Sequence, residues 1–347
     1  MSMKYFLVTA VMISCSIGCS SDTENKTVTE KEADKKISSH SDPLPSWNDG
    51  ELKRSIINYV ATITKEGGPD FIPVADRIAT FDNDGTLWSE QPLYFQLFYS
   101  LDQVKAMAPK HPDWKDKQPY KSVLDNNIDD LMKQGEKGLL QVVAASHAGM
   151  TTDLFESTIS QWIDTAKNPA KQKLYKELVF EPMLELVKYL QANNFKVFIV
   201  SGGGIEFIRA WAEGVYGIPK DQIIGSSIKA KYDYNNGDPR IIKLPELDFI
   251  DDKEGKPVAI QKYIGRKPVF AAGNSDGDLQ MLQWAASNKY KNFELYVHHT
   301  DSTREWAYDR KSHIGTFDKG WDEAIAKKWA IADIKNDWKV IYPFEKK

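Results

Sequence analysis

Cysteine is nearly absent: the 347-residue chain holds two, Cys15 and Cys19, both close to its start. No cysteine pair is left to cross-link the body of the protein, so a disulfide framework is excluded there. Charge of one sign is also missing, since 45 basic and 49 acidic side chains leave a net charge of −4. That balance offers no polycationic surface and argues against a nucleic-acid partner. The apolar run near the start, "YFLVTAVMI", is too short to cross a bilayer as a helix. No internal repeat is visible. What remains is an ordinary globular composition, 41% hydrophobic and 12% aromatic, at a length that suggests about two domains.

The first segments stand apart from the rest. "MSMK", the apolar run and the small residues after it form the pattern of a secretory signal, residues 1–18. The following "SIGCSSD" resembles the lipobox of bacterial lipoproteins. The resemblance implies lipidation of Cys19, a membrane anchor through it, and an exported location on the periplasmic or cell-surface side. Ser16 departs from the expected Leu, Cys15 is a second candidate, and an ordinary cleaved signal is the plain alternative. Residues 19–47 are polar and charge-mixed, so a disordered tether is expected there.

Beyond the tether, apolar strand-like runs alternate with amphipathic helical ones. "RIATFD", "FKVFIVS", "KPVFAAGNS" and "NFELYVHH" read as strands, with helical segments such as "PMLELVKYLQANN" and "DLQMLQWAASN" between them. The alternation predicts an α/β fold built on a parallel sheet. Ligands in such sheets bind beyond the carboxyl ends of the strands, where three of these runs end in polar residues. Residues 90–179 carry only helical patterns, which predicts an all-helical inserted domain between two core segments, 48–89 and 180–347. "IKAKYDYNNGDPRIIKLP" reads as a hairpin turning at "NNGDP".

Three strand ends carry the chemistry. In "FDNDGTLW", Asp82 and Asp84 flank one residue and repel each other unless a cation or a reaction needs both. A carboxylate can attack phosphorus, and a second can protonate the leaving group and then activate water. Mg²⁺ with oxygen ligands suits the anionic substrate. A calcium loop is excluded, because an EF-hand counted from Asp82 would need glycine sixth and Glu twelfth, and Leu93 stands twelfth. "VSGGGIEF" offers the Ser201 hydroxyl and the backbone N–H groups of Gly202, Gly203 and Gly204 to a phosphate. "GNSDGD" offers Asn274, Asp276 and Asp278. Lys253, Lys256 and Lys262 are candidate counter-charges.

Taken in chain order, "FDNDGTL", "VSGG", a lysine at a helix start and "GNSDGD" resemble the four motifs of the haloacid dehalogenase superfamily of phosphotransferases, over residues of about 75 to 282. The resemblance implies a Rossmann-like core with a helical cap. It makes Asp82 the nucleophile, Asp84 the general acid/base, Ser201 and Gly202 phosphate binders, and Lys256 the brace. Asp82, Asp84, Asn274 and Asp278 become the Mg²⁺ ligands. Asn274 departs from the Asp common at that position. The function implied is Mg²⁺-dependent hydrolysis of small extracytoplasmic phosphomonoesters, with a small phosphorylated metabolite as partner. A phosphotransferase or phosphomutase, and a catalytically silent ligand-binding lipoprotein, are the alternatives. His147, in "SHAGMT", is a candidate to reach the substrate from the cap. Trp88 reads as packing, Asp276 as a cap, and His298 and His299 as structural.

Overall fold

Seven strands make one sheet: β1 (Ile78–Phe81), β2 (Lys196–Gly204), β3 (Ile223–Asn235), β4 (Asp238–Phe249), β5 (Phe270–Gly273), β6 (Phe293–His298) and β7 (Ala330–Asp333). Their order is β4-β3-β2-β1-β5-β6-β7. Every pairing is parallel except the β3–β4 hairpin. The chain builds outward from β1 to one side through β2 and β3, then returns to build the other side through β5, β6 and β7. β1 therefore lies at the reversal of strand order, where crevices open at the carboxyl ends. All four of its residues are buried, as expected of a strand covered on both faces. The computed structural model describes residues 42–346 apart from Asn236. The signal, Cys15, Cys19 and residues 19–41 of the expected tether lie outside these described residues.

Ahead of the sheet runs α1 (Glu51–Thr64). Between β1 and β2 come α2 (Phe95–Met107), α3 (Tyr120–Leu124), α4 (Ile128–Lys133), α5 (Gly135–Ala145), α6 (Thr152–Ile163) and α7 (Glu181–Ala192). Among the described residues, no strand of the sheet lies in this stretch. Part of it has its own apolar cluster, formed by Leu97, Leu101, Val104, Trp114, Leu131 and Val142 among others. Others of its apolar residues, among them Tyr99, Phe155, Ile159 and Trp162, join the main core. The insertion is thus fused to the sheet domain through α2 and α6, and Asp42–Lys347 forms one compact unit. The remaining helices are α8 (Ile205–Arg209), α9 (Ala212–Tyr216), α10 (Gly255–Tyr263), α11 (Leu279–Ala286), α12 (Lys319–Lys327) and α13 (Ile334–Asp337).

Two expectations are corrected here. The tether was expected to run to residue 47, yet Leu44 and Trp47 are fully buried. The Trp47 indole packs edge-on against Trp338 at 5.9 Å and donates to the Pro182 carbonyl at 2.9 Å. Two large apolar side chains suffice to dock an otherwise polar segment. The hairpin is also longer than "IKAKYDYNNGDPRIIKLP": β3 first pairs in parallel with β2 at Ile223, Ile224 and Gly225, then continues outward as an arm with β4. That arm reaches the insertion. Lys243 N–H donates to the Met150 carbonyl and Gly149 N–H donates to the Lys243 carbonyl, each at 2.9 Å. The roof over the strand ends is therefore made of helices and a hairpin together.

Candidate active site

The carboxyl ends of β1, β2 and β5 converge, as the parallel alternation required. Asp82 follows β1 directly, and its N–H donates to the Ala272 carbonyl of β5 at 2.9 Å. The chain then turns sharply: the Asn83 carbonyl accepts from the N–H groups of Thr86, Leu87 and Trp88. Gly85 makes the turn possible. Its φ is +73°, and a Cβ there would meet Asn274 Nδ2 at 2.1 Å and Glu90 Oε1 at 2.5 Å. Both conformation and space demand glycine at this position. His299 braces the turn from outside, with Nε2 at 2.7 Å from the Gly85 carbonyl and Nδ1 at 3.0 Å from Glu305 Oε2.

Lys256, from the first turn of α10, is the lysine that enters the site. It is 1% exposed and donates to Asp82 Oδ1 at 2.6 Å, Asp278 Oδ1 at 2.6 Å and the Val200 carbonyl at 2.9 Å. Burial opposes its charge, but Asp278 and Asp82 outweigh that and hold the ammonium above its ordinary range. Lys253 and Lys262 are exposed. One Asp82 oxygen is thus fixed, and its other oxygen is left to face the chamber.

Asp84 is oriented by Trp88, whose Nε1 donates to Oδ1 at 2.9 Å. The ring itself is fully buried, stacked on Trp211 at 4.3 Å. Trp88 therefore packs, as expected, and also aims Asp84, which the sequence did not reveal. Ser201 is buried at the end of β2, and its Oγ accepts from Gly203 N–H at 3.1 Å. The glycines belong to the strand, and the five-residue α8 follows them. Gly204 N–H is already engaged by Gln96 Oε1 at 2.7 Å. Gly202, exposed to the chamber beside Ser201, remains a candidate phosphate donor.

The third loop corrects one role. Asp278, expected among the metal ligands, has Oδ1 on Lys256, while Oδ2 accepts from Asn274 N–H at 3.0 Å and Ser275 N–H at 3.1 Å. Both oxygens are committed, so Asp278 shapes the loop and seats the lysine. Asp276 accepts from Asp318 and Gly320 N–H groups at 2.9 and 2.8 Å, in keeping with a capping role. Asn274 is buried, with its amide held between Thr86 and Glu90.

A chamber of about 420 Å³ rises from these loops. Asp82, Asp84, Glu90, Asp252 and Asp278 line its floor with Lys256. Five carboxylates surround one ammonium there, and a phosphate anion could not enter such a floor without a further cation. Burial pushes Asp82 upward and Asp278 adds to the effect; burial also raises Asp84 and, more strongly, Glu90. Asp251, just behind Asp252, is fully buried with both carboxylate oxygens unpartnered, and burial pushes it up to about 7. Among the described residues, no three Asp, Glu, His or Cys side chains close into a metal-holding group. Mg²⁺ needs no such group, because it keeps several waters and takes one or two carboxylates. The hard oxygens of Asp82, Asp84 and Asn274 fit that habit.

The walls are apolar: Leu139, Leu140 and Val143 of α5, Phe155 of α6, Phe207 of α8 and Leu247 of β4. His147 lines the roof as expected, but it is 4% exposed, and burial followed by repulsion from Lys243 pushes its imidazole down to about 3. A neutral ring can bind there and cannot serve as the acid. Lys243, which the sequence did not single out, is buried in the same roof. It pairs with Glu206 at 2.9 Å and lies 4.9 Å from the Phe155 ring centroid. Glu90 also went unnoticed, although it stands eight residues after Asp82 on the same loop.

The sequence profile described as haloacid dehalogenase-like hydrolase matches residues 79–283. No curated protein matches the sequence. Among solved structures, a conserved functionally unknown protein from Anaerococcus prevotii DSM 20548 is 16% identical with a TM-score of 0.47, covering 75% of this chain and 89% of its own. A protein of unknown function from Bordetella pertussis Tohama I is 15% identical with a TM-score of 0.46, over 74% and 98%. A phosphoserine phosphohydrolase-like protein from Francisella tularensis subsp. tularensis SCHU S4 is 21% identical with a TM-score of 0.36, over 64% and 87%.

Proposed function

The chain belongs to the haloacid dehalogenase-like hydrolases, and from that premise we propose that it is a Mg²⁺-dependent phosphomonoesterase working through an aspartyl-phosphate. The observation that carries this reading is Asp82, held at one oxygen by the buried ammonium of Lys256 with the other oxygen facing the chamber. That free oxygen attacks phosphorus as the ester O–P bond breaks. Asp84, aimed by the Trp88 indole, gives its proton to the departing alcohol. It then takes a proton from water as that water attacks the phospho-aspartate, which returns Asp82 and releases phosphate. Lys256 keeps Asp82 in place and balances charge on the transferred group. Ser201 and Gly202 donate to phosphate oxygens. Mg²⁺, held by Asp82, Asp84 and Asn274, supplies neutralisation of the phosphate and the carboxylates when bound.

The roof keeps bulk water off the ester while the hydrolytic water is admitted for the second step. Its apolar walls support a small ester whose organic part has apolar surface, with His147 as a neutral contact. The N-terminal signal pattern and Cys19 support an exported, lipid-anchored enzyme acting on extracytoplasmic esters.

The test is phosphate release from p-nitrophenyl phosphate and a panel of small phosphate esters, with Mg²⁺ and with EDTA, beside Asp82→Asn. The expected result is metal-dependent turnover reduced at least about 10³-fold in the variant, equivalent to ~4 kcal/mol of barrier. Absence of turnover on every ester, by folded protein in Mg²⁺, would sink the reading.

A further inference from the structure

Glu90 is a buried carboxylate whose hydrogen-bond partners are neutral, while its nearby charged groups, Asp82 and Asp84, are acids like itself. Oε1 accepts from Asn274 Nδ2 at 2.7 Å and from the Tyr308 hydroxyl at 2.8 Å, and no ion pair reaches it among the described residues. It is 2% exposed. The fold makes room for it deliberately: a Cβ at Gly85 or Gly315 would meet Oε1 at 2.5 or 2.0 Å. Isolating an anion in this way costs several kcal/mol unless something compensates. Its hydrogen bond also fixes the Asn274 amide. With Nδ2 turned toward the carboxylate, Oδ1 faces Thr86 Oγ1 at 3.2 Å, on the side of the Asp82 loop. A carboxylate bonded to an amide N–H draws that proton toward itself and pushes electron density onto the amide oxygen, as carboxylates do for metal-bound imidazoles.

We propose that Asn274 and Glu90 together act as one divided carboxylate of the cation site, Asn274 supplying the ligating oxygen and Glu90 the negative charge behind it. This rests on the divalent cation of the proposed function. Glu90 is then a positioning residue: it acts on the cation through Asn274. The arrangement accounts for a neutral ligand on a floor that must hold Mg²⁺, and for a buried anion with no cation of its own.

Isothermal titration with Mg²⁺ and with Mn²⁺, without substrate, tests the division on the full chain and three variants. Glu90→Gln keeps the size and still accepts from Tyr308, and it should weaken both metals about 10-fold or more. Asn274→Asp alone sets a second carboxylate against Glu90 and should not tighten binding. Glu90→Gln with Asn274→Asp reunites oxygen and charge in one residue and should return the dissociation constant to within about threefold of the parent. Parent-like binding by Glu90→Gln, or a double variant no better than it, would overturn the division while leaving the phosphatase intact. A parent that binds neither metal would overturn the cation reading, and this division with it.

Discussion

Lys256 and Lys243 are each 1% exposed, one in the floor of the chamber and the other in its roof. Lys256 meets two carboxylates and a carbonyl, all within 2.9 Å. Lys243 meets one carboxylate, Glu206, which is 26% exposed, and an aromatic face. Equal burial thus hides unequal dependence. Removing the floor ammonium strands two buried anions, while removing the roof ammonium leaves an anion that water can reach. The floor is chemistry held in place by charge; the roof is a closure held by backbone pairing, with charge as an accessory.

The largest effect expected from that contrast is Lys256→Met. Asp82 and Asp278 lose their cation, so turnover should fall about 10³-fold and stability by about 3–5 kcal/mol. Steady-state kinetics and chemical denaturation check this, and a variant unfolding like the parent would erase the distinction. Lys243→Met should sharpen the distinction from the other side. The hairpin remains tied to the insertion through backbone bonds, so stability should change by no more than about 1 kcal/mol. Turnover at saturating ester should hold within about threefold while KM rises, because the roof touches the organic part of the ester and not the reacting atoms.

A third effect, visible only as a pH dependence, concerns a buried acid with no cation at all. Glu294, on β6 away from the chamber, is 7% exposed with Oε1 unpartnered, and burial pushes its carboxyl from 4.5 up to about 7. A raised acid favours the fold below its unfolded value and loses that contribution as pH climbs through the folded one. Stability should therefore decline between about pH 4.5 and pH 7, by on the order of 3 kcal/mol at most. In Glu294→Gln this component of the decline should vanish, which thermal melts across that range would reveal. Identical pH profiles for the two proteins would refute it.

The alternation of strands and helices was legible in residues 75–300 because each element's apolar period is local. The missed strand, β7, is only four residues long and follows a polar helix, so nothing marks it before it pairs with β6. Within the helical pattern of residues 90–179, "YKSVLDNNIDDLMKQ" splits into α3 and α4, with Asn126 at φ +54° between them. The site's loops were legible because their residue types and spacing sit within a few positions of one another. Trp88 was legible as an apolar side chain and not as a donor, because its partner depends on where the turn aims the indole.

The sequence by itself determined which strand ends carry carboxylates, serine and amide, since those identities lie in short runs that β1, β2 and β5 deliver to one edge. Tertiary structure decided what each group does there. Lys256 meets Asp82 across 174 residues, Tyr308 meets Glu90 across 218, and Asp278 is drawn to the lysine and the loop N–H groups. Such roles depend on which donors and acceptors share a buried space, and burial makes an unshared charge too costly to persist.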